Sequence, residues 1–130
     1  MSIQDQQARM EQLAKGAWNN ATRRNYEQNL DTLTYKVKDW HHDRNLIDGS
    51  TDKDQFCKLI QEAGELSDSI CKGKSVADDI GDMMVVLINI AERNNLTLSQ
   101  CLESAWNDIK DRKGKMVDGV FIKEADLNNN

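Results

Sequence analysis

At 130 residues the chain is one domain in size, and its 38% hydrophobic and 30% charged content with no proline favours helices over a turn-rich β-sandwich. A net charge of −5 excludes a nonspecific grip on nucleic-acid backbone, which needs a basic face. Three cysteines, Cys57, Cys71 and Cys101, without paired close spacing exclude a disulfide framework and a zinc site, and the longest apolar block, Met83 to Ile88, is too short to span a bilayer. With no early run of signal-peptide type, the expectation is a cytoplasmic protein with no membrane and no nucleic-acid polymer as partner.

Residues 1–24 are polar, with a thin apolar stripe of Met10, Leu13, Ala14 and Trp18 at helical spacing. Tyr26, Leu30, Leu33, Val37 and Trp40 recur at steps of three and four and predict a firmer helix over 26–43, ending at His41 and His42, with Asp48-Gly49-Ser50 in the loop that follows. A third helix over 53–72 should bury Phe56, Leu59, Ile60, Ala63, Leu66 and Ile70, with Glu62 and Glu65 beside that stripe. Gly73 is a natural C-cap, and Ser75 followed by Asp78 is an N-cap signal for a fourth helix over 76–93. Its centre, Met83 to Ile88 and Ile90, leaves no polar face, which predicts burial all round. Asn94-Asn95 ends it. Thr97 with Gln100 forms a capping box for a fifth helix carrying Leu98, Cys101, Leu102, Ala105, Trp106 and Ile109, with Gly114 expected to close it. Asp118-Gly119 between apolar pairs predicts a small hairpin over 116–122.

The chemistry concentrates in Gln61 to Asp82. Glu62 and Glu65 lie three apart on one helix, Asp79 and Asp82 repeat that spacing on the next, and a helical turn puts each pair on one face. Two antiparallel helices would bring four carboxylates together. Such a group repels itself unless a cation sits among it, and all-oxygen ligation suits Mg²⁺, with Mn²⁺ as a substitute. A solvated acidic face explains the first pair alone, but not the second, which heads the most apolar helix in the chain.

These residues resemble the signature of the MazG-like all-α nucleoside triphosphate pyrophosphohydrolases, Glu-x-x-Glu, a spacer, then Glu-x-x-Asp. Here it reads Glu62-Ala63-Gly64-Glu65, thirteen residues, then Asp79-Ile80-Gly81-Asp82, with aspartate at 79 where the family has glutamate. The resemblance covers roughly residues 26–123. It extends to the aromatic-rich segment Trp40 to Leu46 and to Ala105 to Lys113, and the tail is similar in style to small phage-encoded members. The resemblance implies metal ligation by Glu62, Glu65, Asp79 and Asp82; one of these carboxylates is expected to take the proton of the attacking water, and Glu65 is the choice made here. It also implies substrate contacts from Trp40, Arg44, Asn45, Asn107, Lys110 and Arg112.

The expected architecture is all-α: an N-terminal helical extension over 1–25, a four-helix core domain over 26–123 ending in a short β-hairpin, and a tail over 124–130. The expected function is Mg²⁺-dependent hydrolysis of a nucleoside triphosphate, a deoxynucleotide by resemblance, to monophosphate and pyrophosphate. The fourth helix exceeds what one subunit covers, so a homo-oligomer, dimer or tetramer, is expected. Two alternatives stand beside this reading. One is a non-enzymatic helical interaction protein whose acidic cluster binds cations; the other is a related pyrophosphohydrolase acting on a phosphoribosyl nucleotide.

Overall fold

Capping chemistry written into the sequence delimits most of the helices. The computed structural model describes residues 2–14 and 28–127. Its elements are α1 (Ile3–Ala14), α2 (Leu30–Asp43), α3 (Asp52–Cys71), α4 (Ala77–Arg93), α5 (Leu98–Ile109), β1 (Gly114–Val117), β2 (Val120–Lys123) and a final turn, α6 (Glu124–Leu127). The fold is all-α with a short C-terminal hairpin, as expected.

Two compact units share the chain, one ending at Leu33 and the other beginning at Thr34, inside α2. In the first, Ser2 and Asp5 cap α1 reciprocally: the Asp5 amide donates to the Ser2 hydroxyl at 3.1 Å, and the hydroxyl donates to the Asp5 carboxylate at 2.6 Å. Those bonds hold the Asp5 carboxyl below its ordinary range. The expected stripe of Met10, Leu13, Ala14 and Trp18 lies outside the described side chains, as does Tyr26. Helix α2 starts at Leu30 rather than near residue 26, because Asn29 Oδ1 accepts from the Asp31 amide at 2.8 Å and caps it there.

In the second unit α3 and α4 form an antiparallel pair. At one end the Arg93 guanidinium bonds Asp52 at 2.9 Å, joining the end of α4 to the start of α3. At the other end Asp82, early in α4, meets Glu62 and Glu65 in the middle of α3. Thr51 Oγ1 accepts from the Asp54 amide at 3.1 Å and starts α3. Gly73, at φ 66°, ends it as expected: the Lys74 amide reaches the Ser69 carbonyl at 2.9 Å and the Gly73 amide the Ile70 carbonyl at 3.2 Å, a Schellman closure. Asn45 (φ 56°) and Asn95 (φ 58°) close α2 and α4 in the same way.

Two local expectations are corrected. Ser75 is not the N-cap of α4; Val76 holds that position without a side-chain bond, while the Ser75 hydroxyl reaches only the Ala77 amide at 3.4 Å. Helix α5, started by the expected Thr97–Gln100 capping box, stops at Ile109 rather than running to Gly114. Gly114 instead opens β1, where a Cβ would collide with the Ile122 carbonyl across the hairpin. The strands pair Gly114 with Lys123 through Val117 with Val120, and Asp118 (φ 49°) and Gly119 (φ 82°) supply the two positive φ angles of a type I′ turn.

The apolar stripes are less covered than expected. Among the described residues the buried hydrophobic side chains are Ile47, Val86, Ile88 and Ala91. On α3, Leu59, Ala63 and Leu66 are half-buried, but Phe56, Ile60 and Ile70 are exposed, because α4 covers only one arc of the helix. Helix α4 is not buried all round either, since Ile80 and Leu87 face solvent. On α5, Leu98 and Cys101 are half-buried while Leu102, Ala105, Trp106 and Ile109 are exposed.

Candidate metal centre

Three carboxylates from α3 and α4 converge. Glu62, Glu65 and Asp82 each offer one oxygen, and these atoms lie within 4.8 Å of one another. Helical spacing places Glu62 on the same arc as Leu59 and Leu66, so it is drawn into the contact with α4 and is only 7% exposed. Glu65, almost a full turn on, is exposed, and Asp82 is half-buried. The Lys58 ammonium lies 3.2 Å from Glu62 Oε1. The other oxygen, Oε2, is buried and no donor faces it. Buried oxygens are almost always satisfied, and leaving a charged one bare costs free energy. A proton shared with Glu65 or a bound cation would supply the missing interaction. An all-oxygen set with one orphaned buried carboxylate oxygen fits a hard divalent ion such as Mg²⁺ or Mn²⁺.

The electrostatics follow from this crowding. The Glu65 carboxyl is raised above its ordinary range, first because a protonated Glu65 would donate to the neighbouring Glu62 carboxylate, then by the Glu62 charge, with burial and Asp79 adding and Lys58 opposing. Asp82 is raised as well, chiefly by burial, then by the charges of Asp78, Glu62 and Asp79. A raised folded-state pKa means that the stability these groups contribute is complete below the unfolded value and is lost as pH rises through the folded one. At neutral pH the cation-free cluster therefore works against the fold. Thermal melts across pH should show Glu62→Gln at least as stable as wild type at pH 7, with the gap closing as pH falls through the carboxylate range. A gap that stays constant with pH would mean that repulsion within the cluster is not its cause. Divalent affinity should fall on acidification, beginning at higher pH than for ordinary carboxylates, because ligation needs the ionised forms.

The fourth expected ligand stands apart. Asp79 is half-buried on the first turn of α4 and lies outside the group of converging oxygens, yet its charge is felt at both Glu65 and Asp82. Among the expected substrate contacts, the Arg44 guanidinium stacks on the Trp40 ring at 4.4 Å from its centroid, and Trp40 is partly exposed. Asn45 is committed by its left-handed backbone to the turn after α2. Lys110 donates to Asn107 Oδ1 at 3.4 Å, and Arg112 pairs with Asp108 at 3.0 Å. Among the described residues no hydrogen bond or ion pair joins either cluster to the carboxylates.

Sequence reasoning missed a buried polar lock. His41, read as a helix-end residue, is buried, with Nε2–H donating to the Val85 carbonyl at 2.9 Å and Nδ1 accepting from the Asn89 amide at 3.2 Å. Asn89, fully buried, also donates to the Leu46 carbonyl at 3.0 Å. Arg93 bonds the Ile47 carbonyl, and Lys38 meets Glu92 at 3.0 Å, so the end of α2 and its loop are fastened along α4. One signal was available: a single asparagine inside an apolar helix needs partners.

No helix among the described residues is long and apolar enough to cross a membrane. No protein-family model matches the chain, and no solved structure matches it significantly. The chain is similar to an uncharacterized 18.2 kDa protein from the rep-hol intergenic region of Haemophilus phage HP1 (strain HP1c1), at 39% identity over 69 residues. That alignment takes in 52% of this chain and spans 42% of the phage protein's length.

Proposed function

We propose that the chain is a Mg²⁺-dependent nucleoside triphosphate pyrophosphohydrolase of MazG-like type, acting on a deoxynucleotide in the cytoplasm of a phage's bacterial host. The observation that carries this reading is Glu62, buried with one oxygen bare, beside Glu65 and Asp82. The spacing of the Glu62-x-x-Glu65 and Asp79-x-x-Asp82 pairs supports it. A divalent cation bound by Glu62, Glu65 and Asp82, with Asp79 at the edge, would offset triphosphate charge and make water more acidic. Glu65, exposed at the rim, takes the proton as water attacks the α-phosphorus. The bond to the oxygen bridging the α- and β-phosphorus breaks, and pyrophosphate leaves. Trp40, held by Arg44 and followed by Asn45, offers a ring face for the base. Lys110 and Arg112 exchange Asn107 and Asp108 for the departing pyrophosphate.

A panel of ribo- and deoxynucleoside triphosphates with Mg²⁺ tests this directly, scoring pyrophosphate against orthophosphate. Metal-dependent release of pyrophosphate is the expected result. Orthophosphate alone, or no turnover of any nucleotide, overturns it and leaves the non-enzymatic cation-binding reading.

The same proposal includes a homo-oligomer, dimer or tetramer. Phe56, Ile60, Leu102, Trp106 and Ile109 expose more large apolar side chains than an isolated helical domain ordinarily tolerates, and a second copy provides matching surface. Light scattering should give a multiple of the monomer mass. Phe56→Asp combined with Trp106→Lys should shift it to the monomer; a wild-type monomer at micromolar concentration counts against it.

A further inference from the structure

Among the described residues of the second unit, the ion pairs Lys58–Glu62, Asp68–Lys72 and Asp108–Arg112 each link residues four apart on the chain, and the first is unlike the others. In Asp68–Lys72 (2.8 Å) and Asp108–Arg112 (3.0 Å) the acid precedes the base, the orientation that suits the helix dipole, and both acids are well exposed, at 58% and 76% of the side chain. In Lys58–Glu62 the base comes first, the weaker order for helix stability, and the glutamate side chain is only 9% exposed. Helix stabilisation therefore explains this pair less well than the other two. The Lys58 side chain is 54% exposed, so its ammonium approaches the buried carboxylate from solvent, and it takes Oε1 while Oε2 stays bare.

We infer that Lys58 is a tethered counter-cation of the carboxylate cluster, occupying Glu62 when no divalent ion is bound and competing with such an ion for it. This rests on the metal-centre reading given above and adds its regulation. Lys58 blunts repulsion among Glu62, Glu65 and Asp82 in the cation-free protein and sets the divalent concentration at which the centre fills. A flexible, half-exposed side chain swings away readily, so it competes without blocking the site.

Mn²⁺ binding to the full chain, without nucleotide, followed by electron paramagnetic resonance or calorimetry, tests the inference. Lys58→Met keeps the length and removes the charge, and Lys58→Gln serves as a second neutral variant should Met perturb folding. Both should bind Mn²⁺ about two- to tenfold more tightly than wild type, the range expected from removing one partly screened positive charge beside a divalent ion. Lys58→Arg, which retains the charge, should stay close to wild type. Neutral variants that bind no more tightly than wild type, while wild type binds and Glu62→Gln does not, overturn the inference and leave the metal centre standing. Equal tightening by Lys58→Arg also overturns it, since charge is then not the cause. If no variant and no wild-type protein binds Mn²⁺, the metal centre itself is refuted, and this role with it.

Discussion

Glu62→Gln should lower nucleotide turnover about 10²–10³-fold while the protein melts no lower than wild type at pH 7. The substitution removes the most buried carboxylate of the cluster, and, if that cluster holds the proposed cation, losing several kcal/mol of transition-state charge stabilisation corresponds to that range. The fold does not suffer, because the deleted charge was repelling Glu65 and Asp82 and was compensated only by a half-exposed lysine. Asp82→Asn should be about as damaging to turnover. The structure predicts a milder effect at Asp79, outside the converging trio. Asp79→Asn should retain measurable turnover at saturating Mg²⁺, and Asp79→Glu, which restores the residue of the resembling family, should retain more. Should Asp79→Asn be as inactive as Glu62→Gln, four carboxylates rather than three form the working site. Steady-state kinetics beside circular dichroism melts separates loss of ligation from loss of fold.

The features legible in the sequence were those decided within a few residues. Gly73, Asn94-Asn95, the Thr97–Gln100 box and the Asp118-Gly119 turn each act through a local backbone geometry, so residue type and spacing suffice. Glu62, Glu65 and Asp82 were also legible, because helical spacing and an antiparallel return place them at one level. Burial was not. Whether Phe56, Ile60, Leu102 or Trp106 is covered depends on which elements lie opposite, and periodicity reports only that a face is apolar. Ser75 illustrates a finer limit: a favourable capping residue was present, but the chain entered α4 one residue later, beyond its reach of the N3 amide. Lys58 was readable at four residues before Glu62, but its meaning required the burial of that glutamate and the bare Oε2.

Asn89→Ala should be the most destabilising single change among the described residues of the second unit, at about 2–4 kcal/mol. It removes the donor to both the Leu46 carbonyl and His41 Nδ1, stranding buried acceptors, and leaves a small void between α4 and the end of α2. The loss is moderated because Asn89 Oδ1 is itself buried without a partner, so one unsatisfied oxygen disappears with the side chain. Urea denaturation should show a lower midpoint at unchanged slope. His41→Ala strands the Asn89 amide in turn and frees the Val85 carbonyl, for a loss of similar size. Because each change costs the other residue one of its hydrogen bonds, the double variant should lose less than the sum, with a coupling of about 1 kcal/mol or more. Strict additivity would mean that the bond between His41 and Asn89 adds nothing to what each gains from Val85 and Leu46. Mn²⁺ binding should survive in either variant that remains folded, since the lock joins α4 to the end of α2, whereas the carboxylates converge between α4 and α3.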